Sequence, residues 1–475
     1  MIYLAIPYRV KGLPEEEQHM LEELANIFNY HQAKNAQKAK YYEGNVPLSE
    51  VNLGIALPDE LQKLEIGCAW GAKAVDVLAA RSMFDGFVGT NGDQAADLDA
   101  IIQGNDLITA YKKACRDELK LGCAFATLSA DKDIKCRIRF HSTRTGAARW
   151  NGQKGRIDCG FVIVDTVKDE SQASTWRPSI INLHTDTAIW TITVSNYIWT
   201  AEEHPHIMGM PMMVPLVWDA TTDKPLGRSR IKEPIRRLIQ GYVRTIANAT
   251  IGIEFSTSPQ KYLLGVTNKQ YDQLINQKFR SYVGSLLLST RDPNTGEIPQ
   301  FGQLSQGNIE PHVQMIRILA TQFSAATGLT VTDTGVVNDA NPTSSDAILA
   351  QSQTLVSLAE ELNTGNGAAL RTIALMAMAI AKKTTIDKLT DEEKSVVAHF
   401  KNPAMPSVAS TSDAAIKIAS AREEFAQTDV FLEMIGFDQA DIRRIKAQEQ
   451  RARGLSLLDE IEMEESEEPV DETDS

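Results

Sequence analysis

The side chains able to do chemistry are scattered along this chain rather than gathered. The densest group of possible metal ligands is Glu202, Glu203, His204 and His206, in the stretch TAEEHPH. A metal-dependent hydrolase needs about three protein ligands around an open position, with a carboxylate to activate water. Glu202, His204 and His206 would supply such a set. No third histidine stands at ligand spacing, and the same residues read as a polar turn between two apolar segments. None of the eight histidines sits in a nucleophile–base pattern. The chain has no G-x-x-x-x-G-K-S/T, no H-E-x-x-H and no G-x-S-x-G, so the signatures of a phosphate loop, a zincin and a nucleophile elbow are all missing. No catalytic residue, metal or cofactor is expected. The five cysteines (Cys68, Cys115, Cys123, Cys136, Cys159) are irregularly spaced, which fits a reducing compartment and not a zinc cluster.

Positive charge offers more. One group is Lys135, Arg137 and Arg139, with Arg144, Arg149, Lys154 and Arg156 following. A second is Arg228, Arg230, Lys232, Arg236 and Arg237, opposed locally only by Glu233. A third runs from Arg443 through Arg444, Lys446 and Arg451 to Arg453. The second is the densest. It falls where periodicity predicts a helix to begin, and cations there oppose the macrodipole. An external anion is therefore expected, either phosphate or a neighbouring subunit's carboxylates. The net charge of −14 does not argue against this. Residues 459–475 hold ten acids and neither Lys nor Arg, so the rest of the chain carries only −4. That tail is expected to stay solvated.

The elements that must position these groups follow from pattern. The 475 residues, 43% hydrophobic and 23% charged, allow several globular units. The start, MIYLAIPYRVKG, turns polar too soon for a secretory signal, and the run Ile373–Ala381 is too short for a bilayer. A soluble, intracellular product is expected. Helical spacing marks 13–43, 70–84, 97–121, 228–255, 309–327 and 344–383, with Gly328 ending the fifth and Gly365 and Gly367 predicting a break in the last. Alternation marks strands at 134–141, 155–166 and 190–195. The fold class is α+β. The loop 328–343, GLTVTDTGVVNDANPT, is long for a connection and is a functional candidate.

Read in order, several segments resemble the portal proteins of tailed double-stranded DNA bacteriophages, the siphophage type of Gram-positive hosts. They are YYEG at Tyr41, WGAKAVDVLAARSMFDGF from Trp70, GRSRI from Gly227, EFSTSPQKYLLG from Glu254, GEIPQFGQL from Gly296, Thr327-Gly328-Leu329, and PTSSDAI from Pro342. Their collinearity carries the resemblance. It implies a structural part with no active site, a dodecameric ring at one capsid vertex through which DNA is packaged and ejected. Residues 1–227 would be the wing, 228–255 a stem helix, 256–307 the clip and 308–327 the second stem helix. Residues 328–343 would be the tunnel loop, 344–383 a long wing helix, 384–454 a mostly helical crown and 455–475 a disordered acidic tail. Implied partners are double-stranded DNA, terminase, scaffold and major capsid protein, and the head–tail adaptor, with no membrane. The protein would be assembled in the host cytoplasm and end in the virion. Thr332, Asp333, Thr334, Val336, Val337, Asn338 and Asp339 would face DNA, and the Arg228–Arg237 cluster would meet DNA or a neighbour's acids. Another ring-forming head or neck component would share much of this description.

Overall fold

The computed structural model describes residues 4, 9–46, 66–89, 96–168, 176–195, 198–257, 261–264, 300–303, 308–336, 345–404, 408–437, 441–442 and 444–453. They divide into two compact units, Met1–Lys401 and Asn402–Ser475.

In the first unit α1 (Glu15–Glu43) precedes α2 (Trp70–Arg81) and strand β1 (Phe84–Val88), then α3 (Ala96–Gly104) and α4 (Leu107–Leu121). Among the described residues nine strands lie between 84 and 217. After β1 come β2 (Cys123–Asp131), β3 (Lys135–Ser142), β4 (Gly146–Asn151), β5 (Arg156–Lys168), β6 (Trp176–His184), β7 (Ala188–Ser195), β8 (Ile198–Pro205) and β9 (Met213–Val217). Strands β4 to β8 form an antiparallel meander in sequence order, and β3-β2-β9 form a second antiparallel sheet. The expected strands are among them, with Ile181, Leu183, Trp190 and Ile192 turned inward by their period-two spacing. Against one face of the meander α1 lays Leu21, Leu24, Ala25 and Phe28, and the Phe28 and Phe161 rings meet edge-on at 5.5 Å. A larger core joins α2, α4 and the three-stranded sheet to the helices that follow.

Those helices are α5 (Glu233–Thr257), α6 (Glu310–Thr327) and α7 (Ser345–Ala381). Between α5 and α6, strand β10 (Lys261–Leu264) pairs antiparallel with β11 (Gln300–Gln303), Lys261 opposite Gln303. Two segments that carried the family resemblance thus face each other, while the rest of 256–307 lies outside the described residues. A one-turn α8 (Asp391–Lys394) then leads to β12 (Val397–Phe400), which pairs with β1. The residues 384–401, grouped by the sequence with the crown, belong to the first unit through this pairing.

Three helix boundaries differ from the periodic reading, each for a tertiary reason. The stretch 97–121 is two helices, because Asn105 turns its side chain onto β3: its Oδ1 accepts from Ile138 N (2.8 Å) and its Nδ2 donates to Cys136 O (2.9 Å). The helix expected from 228 begins at Glu233. And α7 runs unbroken past Gly365 and Gly367, where the intervening Asn366 is fully buried and bonded to α4.

The second unit contains α9 (Val408–Ala421) and α10 (Asp429–Ile435), with 444–453 also helical. Thr428 caps α10 by accepting from Phe431 N (3.3 Å), and Lys446 pairs with Asp429 at 2.7 Å. The acidic tail lies outside the described residues.

Candidate functional site

The expected basic cluster is built by the segment GRSRI, and each of its residues is used. Gly227 sits at φ +74°, and a Cβ there would strike the carbonyl oxygens of Trp218 and Gly122. Arg228 grips Asp219 with two nitrogens, Nε at 2.9 Å, and Lys232 reaches the same carboxylate at 2.7 Å. Ser229 Oγ donates to Lys120 O (2.5 Å), and Arg230 N donates to Leu119 O (2.8 Å). These bonds hold 228–232 against the end of α4 in a non-helical path, which is why the helix starts late. Arg230 is buried, and among the described residues no carboxylate pairs with it. Its guanidinium donates to Ala74 O in α2 and to Thr327 O at the end of α6. Burial pulls its pKa down to about 10, so it stays charged at neutral pH.

The expectation of an external anion is thus corrected for part of the cluster. Asp219, nine residues upstream of Arg228 and brought back by the turn closed by Thr221 and Lys224, pairs with both Arg228 and Lys232 and offsets one of their two charges. Arg237 pairs with Glu233 one turn away at 3.0 Å, an exposed contact of small energetic weight. Arg236 faces Gln37 and the ring of Tyr41 instead, with no acid. Four of the seven cations on and after the strand are also answered internally, Arg137 by Asp131, Arg149 by Asp158 and Glu23, and Lys154 and Arg156 by Asp186. In the second unit Arg444 pairs with Asp441 at 3.3 Å.

The other expected site is the loop after α6. Gly328 ends the helix in the left-handed region at φ +70°, and Leu329 is buried. Residues Val331–Thr334 then form a 3-10 turn with a reciprocal cap. Thr330 Oγ1 accepts from Asp333 N (3.3 Å), and Asp333 Oδ2 accepts from Thr330 N (2.9 Å). Trp70 Nε1 donates to Thr334 O (3.2 Å), and Val336 packs on the core. Thr332, Asp333, Thr334 and Val336 are therefore a seated base, and Asp333 is engaged by its own turn. Val337, Asn338 and Asp339 lie outside the described residues.

Beneath both sites the resembling segments converge. The Trp70 ring lies 4.5 Å from that of Tyr242 in α5 and 4.8 Å from Phe323 in α6. Tyr41 OH accepts from Gln240 Nε2 (2.5 Å), and Tyr42 OH donates to Asp76 Oδ1 (3.0 Å). A buried network that sequence reasoning missed lies nearby: Asn366 Nδ2 donates to Glu118 Oε2 (2.8 Å) and to Tyr111 OH (3.0 Å), and Tyr111 OH meets Ser82 Oγ at 2.7 Å. Only the apolar residues at helical spacing from Glu118, Tyr111, Ala114, Cys115 and Leu121, hinted that its face of α4 is inward.

The candidate metal ligands do not come together. Glu202, Glu203 and His204 are exposed on β8, where alternation leaves Glu202 and His204 on one face and turns Glu203 to the other. His204 and His206 border a cleft of about 690 Å³ shared with His141 and His184. Burial, with His141 and His206 adding, holds His184 near a pKa of 3, so it is neutral. Among the described residues no three His, Cys, Asp or Glu side chains stand close enough to hold a metal ion.

Comparison with known proteins bears on this framework directly. The chain is 23% identical to the portal protein of Mycobacterium phage D29 and 24% identical to that of Mycobacterium phage L5, each over 455 residues covering 92% of this chain and 90% of the relative. Among solved structures, a chain from the virion of a native gene transfer agent particle aligns with a TM-score of 0.44 at 12% identity, covering 74% of this chain and 86% of that one. A chain from the neck of the native particle, computed with C12 symmetry, gives 0.43 at 11%, covering 78% and 89%. The family described as "Phage portal protein, SPP1 Gp6-like" matches residues 12–454, a span that takes in the α2 segment, GRSRI, both halves of the β10–β11 pair and the turn after α6, and to that family the chain belongs.

Proposed function

We propose that this chain builds the phage portal as a closed ring of twelve, with the parts of the first unit in definite roles. As a member of the portal family it forms the ring through which phage DNA is packaged and ejected, a component of the virion. Among the described residues no helix is long and apolar enough to cross a membrane. The observation that carries the assembly reading is α6. Its last turns bury Leu319, Ala320 and Phe323, while Val313, Met315 and Ile318 in its first turns are exposed. It packs on α5, where a Cβ on Gly241 would come within 3.2 Å of Leu319. A pair of helices anchored at one end and apolar at the other suits a stem that neighbours complete, through a heterologous interface that closes on itself.

On this reading residues 1–227 form the wing, 228–255 and 308–327 the two stem helices, 256–307 the clip, 344–383 the long wing helix, and 384–454 the crown. Terminase and the head–tail adaptor would meet the clip, and scaffold and major capsid protein the outer surface. Of the seven loop residues expected to face DNA, Thr332, Asp333, Thr334 and Val336 belong to the seated turn. Contact with DNA is therefore proposed for Val337, Asn338 and Asp339, which follow it in sequence and lie outside the described residues. These three bring no Lys or Arg. A conduit gains from that, because every phosphate neutralised by a cation adds affinity through counterion release. The test replaces Val337, Asn338 and Asp339 together by glycine. Native mass spectrometry should still show rings near twelve copies, and DNA packaging should fall at least about tenfold. Full packaging by intact variant rings would remove the tunnel role, and a wild-type chain that never closes into rings, even with its capsid partners, would remove the assembly reading.

A further inference from the structure

We propose that the cleft between α1, β4 and the segment Lys224–Arg236 is a docking site for an acidic polypeptide segment that carries an apolar anchor. The cleft has a volume of about 770 Å³. Its wall bears three cations to which no described carboxylate is paired. Lys34 and Lys38 stand one turn apart on α1, and Arg236 comes from α5. Lys34 Nζ lies over the Tyr30 ring at 4.3 Å and donates to its hydroxyl (3.0 Å). Lys38 Nζ donates to Leu121 O (3.0 Å) and Asn35 Oδ1 (3.4 Å), both uncharged. Arg236 donates to Gln37 Oε1 (2.5 Å). By contrast Arg149, Arg228 and Lys232, which border the same cleft, each have an acid at 2.9 Å or less. The crowding is felt at Lys38, whose pKa is pushed down to about 8 by burial, with the charges of Arg236 and Lys34 adding. An arriving anion would relieve both neighbours at once.

The floor decides what kind of anion. Ile27, Trp150 and Leu226, each partly exposed, line it over the buried rings of Phe28 and Phe125. A duplex backbone would use the cations and leave this apolar surface unfilled, because its contacts run mostly to phosphate and sugar oxygens. An apolar centre with a charged rim is the anatomy of a protein interface, and complementary charge gives such an interface its register and its on-rate. Of the two anions that the sequence left open for Arg236, the surroundings favour carboxylates. The inference does not depend on the portal reading, since every group named belongs to the first unit of one chain.

The experiment uses the full chain and a fluorescein-labelled short peptide that interleaves Leu with Glu, read by anisotropy. Competitors are an all-Glu peptide and a short DNA duplex. The Leu–Glu peptide should bind, more weakly as salt rises, and Lys34→Glu with Arg236→Glu should weaken it by about tenfold or more. Lys38→Met should also weaken it while leaving the melting temperature unchanged or raised, because a half-buried charge is removed, so the loss cannot be ascribed to misfolding. Absence of binding, binding indifferent to these substitutions, or equal competition by the all-Glu peptide would overturn the proposal. Preferential competition by the duplex would overturn it in favour of a phosphate site. Ring formation followed in parallel keeps failure here distinct from failure of the portal reading.

Discussion

Glu118 is a charge-capable group that the fold has enclosed completely, on the face of α4 that meets α7. Burial raises its pKa to about 8, with the bond from Asn366 offsetting part of the shift. At neutral pH the carboxyl is therefore mostly protonated. From pH 4.5 to about 8 the folded chain keeps a proton that the unfolded chain has released. Stability then falls as pH rises through that window, by roughly 1.4 kcal/mol per unit, and levels off above it. Glu118→Gln keeps an acceptor for Asn366 Nδ2 and removes the titration. The variant should lose much less melting temperature than the wild type between pH 5 and 8, the comparison cancelling the histidines, which titrate in both. Identical slopes for the two proteins would show that Glu118 is not the buried acid described here. The neighbouring hydroxyls of Tyr111 and Ser82 make the case local. Removing either would leave a partner unsatisfied, whereas the Gln substitution keeps the oxygen that accepts from Asn366 Nδ2.

At the scale of elements, Trp70 is where α2, α5, α6 and the turn after α6 are held in one arrangement. Its ring meets Tyr242 and Phe323, and its Nε1 holds the turn at Thr334. Trp70→Phe retains ring contacts and deletes the one bond to the turn, at a cost of about 1 kcal/mol. Hydrogen exchange should then quicken at residues 331–336 while α2 and α6 keep their protection. Unchanged protection of the turn would mean that its own cap at Thr330 and Asp333 suffices. Periodicity made these helices and the antiparallel strands legible, because each buries one regular face: Leu21, Leu24 and Phe28 on α1, Ile181 and Leu183 on β6. What lay hidden depends on partners far along the chain. The break at Asn105 answers Cys136 and Ile138. The cations Arg228 and Lys232 looked unpaired because Asp219 reaches them only through a folded turn. Thr332–Thr334 and Val336 looked like open loop because the residue that seats the turn is Trp70. Of the site proper, the basic segment and the loop were found by type and spacing. Which of their members are structural was decided by packing.

For the whole molecule the question is which surface a single chain leaves unfinished. In α6, burial is confined to the C-terminal turns, and the N-terminal turns expose Met315 and Ile318, 44% and 52% accessible. Two large apolar side chains on one helix do not by themselves require a partner. Here, however, they lie on a helix whose buried side chains, Leu319, Ala320 and Phe323, fall in its other half, in a family whose function is a ring. Burying both against an adjacent subunit would contribute roughly 1.5–3 kcal/mol each, repeated at every interface around the ring. A carboxylate at either position would have to be desolvated without a partner, which costs more than the apolar contact contributed. Met315→Glu with Ile318→Glu should therefore leave the monomer's melting temperature and circular dichroism near wild type, since both sites are open in the isolated chain. Native mass spectrometry should show the ring population falling at least about tenfold in favour of monomers and short arcs. If closed rings form as readily with both glutamates in place, α6 is not at the subunit interface, and the closure of the ring must rest on another face of the first unit.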